Sequence, residues 1–300
     1  MKTNNLISLL LCAVVIFSAC TKADYGDNIV KGDPPPVPGG FTNSDQVASA
    51  NLLAYWSFDG SNNEVKSNTA PSGVLNASFT SGIKGQALRL NSGFLLYPTI
   101  AALSSPNALA SCTVSMWVNI SNNGSQASEF FALAKDITKQ NDWLGILNIA
   151  AETGRPASDA NIGFHSWIGT YPGGTRIGAD NINDYGDVGK DYQLANAGGK
   201  WVQYIMRYDA SSENIDLYVN NIRVSNNNFR HRAGFGPIVM PTPTQVLIGA
   251  FPTAITGFSL SGNQSWQALL NGSIDEIRVY NKAFSDLEIS ALFKLERQGR

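Results

Sequence analysis

The chain has 300 residues, of which 15% are charged, against roughly a quarter in an average soluble protein. Its 21 Lys and Arg residues are balanced by 23 Asp and Glu residues, so it lacks the basic surplus that nucleic-acid binding requires. The hydrophobic content of 43% excludes a disordered chain, and a folded region of about 250 residues can bury a large core without cross-links.

The N-terminus has the features of a targeting signal. Lys2 precedes an apolar stretch from Leu6 to Phe17, which is shorter than the roughly 20 residues that cross a bilayer. Phe17-Ser18-Ala19-Cys20 resembles a lipobox, in which cleavage exposes a cysteine that is then acylated. Residues 1–19 are therefore predicted to be a signal peptide and Cys20 the lipidated residue of an outer-membrane lipoprotein. The alternative is an ordinary signal peptide with an incidental cysteine.

A tether and a single domain are predicted after this signal. Residues 20–50 include the Pro- and Gly-rich stretch Asp33 to Gly40, which favours an extended polyproline conformation. The run Lys22-Ala23-Asp24 resembles signals that send lipoproteins of the Bacteroides group to the cell surface. Residues 51–300 form the predicted globular domain. Its cysteine, Cys112, is expected to be a small buried residue at a strand start rather than a reactive thiol.

From residue 51 onward the hydrophobic pattern is that of short antiparallel strands. Val114, Met116 and Val118 alternate with polar residues and one Trp, which predicts a half-buried strand. Asn220-Asn221 predicts a tight hairpin turn between two such strands. The other strands predicted from this pattern are Val202 to Tyr208, Ile215 to Val219, Ile222 to Val224, Val246 to Gly249 and Ile274 to Tyr280.

One helix is predicted, close to the C-terminus. Ser285 and Glu288 have the spacing of a capping box, and Phe284 and Ile289 have the spacing of a hydrophobic staple. The helix is expected over Asp286 to Phe293. Many short strands with one terminal helix predict an all-β fold, a two-sheet antiparallel jelly-roll sandwich with a short C-terminal helix.

Five blocks of sequence, spanning about residues 52 to 294, form a recognisable series. The blocks are Ala54 to Gly60, Gly82 to Leu88, Thr113 to Val118, Trp201 to Tyr208 with Leu217 to Asn220, and Gly272 to Asn281 with Ala283 to Ser285. In content and order they resemble the laminin G-like jelly-roll domain of the concanavalin A-like lectin/glucanase superfamily. The resemblance implies a domain of the kind often found in secreted bacterial proteins that handle polysaccharides. This fold hosts lectins, hydrolases and adhesion modules, so the site has to decide between them.

The acidic residues do not have the spacing of a known catalytic set. The laminarinase-type enzymes of this superfamily use a Glu-x-Asp-x-x-Glu pattern on one strand, and the sequence has no such triplet. The nearest pairs are Glu213 with Asp216, and Asp275 with Glu276. The latter two, as neighbours on a strand, should face opposite sides. His165 and His231 lack zinc-ligand spacing. A non-catalytic protein is therefore predicted, with a glycoside hydrolase of unrecognised site as the alternative.

The resemblance also implies a structural calcium ion. Related jelly rolls join the first strand to the last through an oxygen-ligated ion, which would suit Asp59 and Asp275. The alternative interpretation is that Asp59 caps a turn and Asp275 is a hydrogen-bonded residue of the sheet.

A candidate glycan site lies in the segment between His165 and Lys200, which interrupts the family core and reads as a long loop. Sugar rings present apolar faces and polar rims, so their sites combine aromatic platforms with polar groups. The candidate binding residues in the segment are Trp167, Tyr171, Arg176 and Tyr185, and Trp143, just before a predicted strand, is expected to lie beside them. The alternative is that the aromatic residues anchor the loop. The leading hypothesis is a surface lipoprotein that captures a neutral polysaccharide without catalysis, and a protein-binding adhesion domain is a further alternative.

Overall fold

The computed structural model of the chain describes residues 37–183 and 195–300. Cys20 and Tyr185 lie outside the described residues, as do the signal peptide and most of the predicted tether. The strands within the described ranges are β1 (Leu52–Trp56), β2 (Gly73–Ser81), β3 (Gln86–Leu96), β4 (Cys112–Asn119), β5 (Ala127–Lys135), β6 (Leu147–Glu152), β7 (Asn161–Thr170), β8 (Ile177–Ile182), β9 (Ala195–Asn196), β10 (Val202–Asp209), β11 (Asn214–Val219), β12 (Ile222–Arg223), β13 (Thr244–Ile248), β14 (Gln267–Ala268) and β15 (Leu270–Tyr280). The α-helix α1 spans Asp286–Glu296, and short 3-10 turns occur at Ser44–Gln46, Ser49–Asn51, Ala101–Leu103, Pro172–Gly174, Asn227–Phe229 and Ala254–Thr256.

The strands form one curled, almost entirely antiparallel sheet in the order β12-β11-β10-β4-β15-β3-β13-β5-β6-β7-β8. The long strand β3 joins its two halves, because Leu88 pairs with β15 while Leu95 and Leu96 pair with β13. The first layer runs from β12 to β3 and the second from β13 to β8. This architecture confirms the predicted all-β antiparallel sandwich with a C-terminal helix.

The main core lies between the two layers. Val114, Met116 and Val118 of β4 are fully buried in it, as the alternation predicted. The strand is not half-buried as expected, because Ser115 and Trp117 on its other face are buried too. Aromatic rings cross from one layer to the other, since the ring centroids of Phe164 on β7 and Tyr204 on β10 are 4.5 Å apart. Because strand side chains alternate between faces, each layer also presents a second set of residues on its outer face.

The predicted hairpin, cysteine position and helix start are confirmed. Asn220 and Asn221 both have positive φ, 49° and 66°, and the strands on either side pair as β11 and β12. Cys112 is buried at the first position of β4. Ser285 and Glu288 form both halves of the capping box, and α1 continues to Glu296, three residues beyond the predicted end at Phe293.

Helix α1 and the residues before β1 cover the outer face of the first layer. Val37 and Val47 are buried in one cluster with Ile289 and Leu292 of the helix. The segment predicted as a tether up to residue 50 therefore extends too far, because residues 37–50 belong to the folded body. Proline and glycine content indicated an extended chain but could not show that the apolar residues beyond it have a partner surface.

A buried ionic cluster lies beneath the helix. The guanidinium of Arg278 donates from Nε to Glu296 Oε1 at 2.9 Å and from Nη2 to Glu276 Oε2 at 2.8 Å, and all three side chains are fully buried. Its Nη1 lies 2.9 Å from Asp45 Oδ1, which belongs to the segment before β1. The cluster thus joins strand β15, the C-terminal helix and the N-terminal segment.

No helix in the described part of the chain combines the length and the apolar character needed to cross a bilayer.

Candidate functional site

Much of the segment predicted as a long loop forms a strand pair. Residues 165–170 lie on β7 and residues 177–182 on β8, and the two strands pair in antiparallel register. Within this hairpin, Ile162, Phe164 and Ile168 fill the core, so His165 and Trp167 are on the outer face of the second layer. For residues 165–182 the loop prediction was wrong, because Gly, Asn and Asp are frequent there and hide the alternation. Residues 184–194 of the segment lie outside the described residues.

Three tryptophans meet on this outer face. The ring centroid of Trp143 is 6.1 Å from that of Trp167 and 4.7 Å from that of Trp266, and the rings are nearly perpendicular. Each is half-buried, with its ring centroid 5.5 to 6.3 Å from that of Phe251, in a cluster that also contains Ala127 and Ala150. The rest of each ring remains accessible to a ligand.

The tryptophans border an open cleft of about 300 Å³, which is at the small end of the range for small-molecule sites. Three indoles, one amide, one hydroxyl and one carboxylate line it, together with two small residues. The lining residues are Ser125, Gln126, Ala127, Trp143, Glu152, Gly154, Trp167 and Trp266.

The position of Trp266 depends on strand β5. The amide of Ala127 donates to the carbonyl of Trp266 at 2.7 Å, and the side chain of Gln126 donates to the carbonyl of Ser265 at 2.9 Å. The next residues, strand β14, pair in parallel with the start of β5. Sequence reasoning missed Trp266 because it is far along the chain from the other two tryptophans, and no local pattern signals that approach.

A histidine lies between two carboxylates beside the cleft. His165 Nδ1 is 2.7 Å from Glu152 Oε1, and Nε2 is 3.2 Å from Asp180 Oδ2. The imidazole also stacks on Trp167, with 3.5 Å between ring centroids. The hydrogen bond from His165, opposed by partial burial and helped by Arg232, lowers the pKa of Asp180 below its usual range. This arrangement holds Glu152 at the cleft and fixes the ring beneath Trp167.

A further acid of this layer, Glu129, does not reach the cleft. Its side chain is fully buried, and it accepts hydrogen bonds from Asn148 Nδ2 at 3.3 Å and from the Ile149 amide at 2.8 Å. Burial raises the pKa of the Glu129 carboxyl well above its usual value. With both oxygens held by groups of the neighbouring strand, this enclosed carboxyl supports the sheet.

The structure brings together Trp143 and Trp167 of the five predicted glycan-binding residues. Tyr171 is buried in the main core and cannot act as a platform, so its prediction as a binding residue was wrong. The Arg176 guanidinium lies against Gly169 and Gly178, whose lack of a side chain leaves room for it. Arg176 does not line the cleft. Tyr185 lies outside the described residues.

The two predicted calcium ligands face the same turn, between β2 and β3. Asp59 Oδ1 accepts from the amide of Gln86 at 2.7 Å, and Asp275 Oδ2 accepts from the amides of Ile83 and Lys84 at 2.8 and 3.2 Å. No group of three or more His, Cys, Asp or Glu side chains suited to a metal occurs in the described ranges. Asp275 Oδ1, however, is buried without a hydrogen-bond partner. One carboxylate oxygen thus fits a cation, whose other ligands would have to include backbone carbonyls.

A β-bulge alters the expected geometry of Asp275 and Glu276. The register of β15 against β4 shifts between Asp275 and Arg278, and Glu276 has a φ of 51°. Lys84 contacts both acids, through its amide to Asp275 and through Nζ at 3.8 Å from Glu276 Oε2. The expectation that they face opposite sides was therefore wrong, because a bulge interrupts the two-residue period. Both acids have structural partners.

The comparisons with known proteins agree on the fold. A laminin G-type family model described as concanavalin A-like lectin/glucanases superfamily matches residues 97–290. Domain 4 of an extracellular GH43 arabinanase from Geobacillus stearothermophilus, solved with arabinotriose, aligns with a TM-score of 0.50 at 18% identity, over 81% of this chain and 98% of that domain.

Neurotoxin binding domains are also similar. The botulinum neurotoxin DC binding domain in complex with SialylT aligns with a TM-score of 0.52 at 12% identity, over 84% of this chain and 52% of that one. The serotype G binding domain has a TM-score of 0.54 at 9% identity, over 82% and 51%. At these identities the likeness shows the fold alone. A search of curated proteins found no match.

Proposed function

Because the chain belongs to the laminin G-type family of the concanavalin A-like lectin/glucanases superfamily, we propose that it binds oligosaccharides in the cleft formed by Trp143, Trp167 and Trp266. The observation that carries this proposal is the meeting of three half-buried indole rings in one small cleft. Flat apolar faces suit the C–H faces of sugar rings, and Gln126 and Glu152 supply polar groups for hydroxyls. A similarly folded arabinanase domain solved with arabinotriose supports the idea.

We propose that binding occurs without catalysis. Glycoside hydrolysis usually needs two carboxyl groups on opposite sides of the scissile bond, one to donate a proton and one to act as base or nucleophile. Glu152 lines the cleft, whereas Asp180 lies on the other side of His165, and both are hydrogen-bonded to that one imidazole. The two carboxylates therefore flank the imidazole of His165, and only Glu152 faces a ligand in the cleft.

The test is a glycan array followed by calorimetry on wild type and Trp167→Ala. Loss of one indole platform removes stacking and buried apolar area, so affinity for any bound oligosaccharide should fall about tenfold or more, which is about 1.4 kcal/mol. Phe79→Ala is the matched control, because Phe79 is an exposed aromatic residue on β2 outside the cleft. It should bind as wild type does.

Other outcomes would contradict a part of this proposal. Release of reducing ends from a bound glycan would show a hydrolase. If the Trp167 and Phe79 variants bind the glycan with equal affinity, the binding site lies outside the cleft. If the wild-type protein binds no glycan on the array, a protein-binding adhesion domain is favoured.

We also propose that the protein is held at the outer membrane through acylated Cys20. The lipobox-like Phe17-Ser18-Ala19-Cys20 supports this placement.

A further inference from the structure

The charge of the cleft is set by one side chain. Among the described residues that line it, Glu152 is the charged one, and the others are aromatic, amide, hydroxyl or small. Its side chain is 42% exposed, so it is accessible to a ligand while one oxygen contacts His165. No Lys or Arg belongs to the lining.

The charged groups behind Glu152 do not make the charge at the cleft positive. Asp180 bonds the other nitrogen of His165 and pairs with Arg232, whose Nη2 is 2.8 Å from Asp180 Oδ1. The two carboxylates outnumber the one guanidinium, and the single imidazole could at most balance them. The set therefore has no excess positive charge that would neutralise a bound carboxylate.

The faces of the indole rings also favour a positively charged ligand over a negatively charged one. The face of an aromatic ring is negative, and Trp attracts cations more strongly than the other aromatic residues do. A hydrogen bond between a carboxylate and a cationic donor is stronger than a hydrogen bond between two neutral groups. An ammonium group placed between Glu152 and the tryptophans would gain from both interactions.

We propose that Glu152 makes the cleft selective for sugars without negative charge, and that protonated amino sugars bind most tightly. This inference rests on the proposed glycan-binding function and names the class of ligand. The order of affinity is amino sugar, then neutral sugar, then uronic or sialic acid. Glu152 is the residue that determines this order, and the tryptophans supply affinity to all three classes.

The experiment uses two matched series of trisaccharides and the full mature protein at low salt and pH 6. The gluco series is cellotriose with the β-1,4-linked glucosamine and glucuronate trimers, and the galacto series is β-1,4-galactotriose with the galactosamine and galacturonate trimers. Sialyllactose is added as a second acidic probe. We expect the amino trimer of the bound series to bind about three- to tenfold more tightly than its neutral parent, and the acidic trimer more weakly by a similar factor.

Two variants assign the effect to Glu152. Glu152→Gln keeps a hydrogen-bonding group of the same size, and it should reduce both differences to within about twofold. Asp286→Asn is the control, because it removes one negative charge from the start of α1 on the other layer's outer face. It should keep the wild-type order. Added salt should weaken the preference for the amino trimer.

The outcomes separate this inference from the function on which it depends. If wild type binds the acidic trimer as tightly as the neutral one, or if Glu152→Gln keeps the wild-type order, glycan binding stands and the role of Glu152 is overturned. If wild type binds none of the trimers and no glycan on the array, the proposed function itself fails.

Discussion

Arg278 is the residue on which three parts of the molecule converge. Its side chain is fully buried, and its ion pairs with Glu276 and Glu296 are as enclosed as the guanidinium itself. Trp117 and Gln203 donate to Glu296 at 2.8 and 2.9 Å, so the carboxylates also have neutral partners. Breaking such a cluster on one side leaves buried charge uncompensated, which costs more than the intact cluster contributes.

Arg278→Met should therefore destabilise the protein by about 3–5 kcal/mol, because Glu276 and Glu296 lose their cation inside the fold. Urea unfolding monitored by tryptophan fluorescence measures this loss. The control is Asp45→Asn, since the Asp45 side chain is 65% exposed. An exposed partner should change the stability by about 1 kcal/mol or less. Equal stability of the two variants would contradict this account of the cluster.

At the scale of elements, the turn between β2 and β3 is held by strands distant in sequence. Asp59 follows β1 and Asp275 lies on β15, yet both carboxylates accept hydrogen bonds from backbone amides of this one turn. Gly82 and Gly85 allow the approach, because a side chain at either position would collide with the carboxylates. The turn thus ties the first and last strands together, with or without an ion.

A calcium ion at this turn is tested by removing it. If calcium is bound through the unpartnered Asp275 Oδ1, excess calcium should raise the melting temperature above that in chelator, because a ligand that binds only the folded state stabilises it. The gain should be absent in Asp275→Asn. Scanning calorimetry and metal analysis check both points. Identical melting in calcium and chelator, with no metal detected, would show that the amides of the turn are the complete partner set.

At the scale of the whole molecule, the two outer faces of the sandwich differ, because one is covered and the other carries an open cleft. The outer face of the first layer is covered by α1 and by the segment that begins at Val37. The tryptophan cleft lies on the outer face of the second layer, where Ala150 and Phe251 support it. The proposed ligand site therefore lies on a different face from the one on which the N-terminal segment packs.

Separate faces predict separable functions. Cys20→Ser should move the protein from the membrane fraction to the soluble fraction, because acyl chains and not a basic surface would hold it there. Its affinity for the bound glycan should equal that of the wild-type protein. Fractionation with fatty-acid labelling checks the anchor, and calorimetry checks the binding. Unchanged membrane association without label incorporation would refute lipidation at Cys20.

Local chemistry made much of the fold predictable from the sequence. The alternation in β4, the Asn220-Asn221 turn and the Ser285 capping box each depend on residues close together in the chain, so each was recognisable. The bulge at Glu276 was not, because its φ of 51° is imposed by neighbours from other elements. Trp143 and Trp167 were named as candidates from their residue type and surroundings.

The sequence by itself determined the sandwich and its helix, because periodicity and turn residues are local properties. Tertiary structure alone decided which tryptophans meet, that Tyr171 belongs to the core and that His165 lies between Glu152 and Asp180. These relations depend on which strands become neighbours in the sheet. The register that places Trp266 beside Trp143 joins segments more than a hundred residues apart, and no local pattern carries that information.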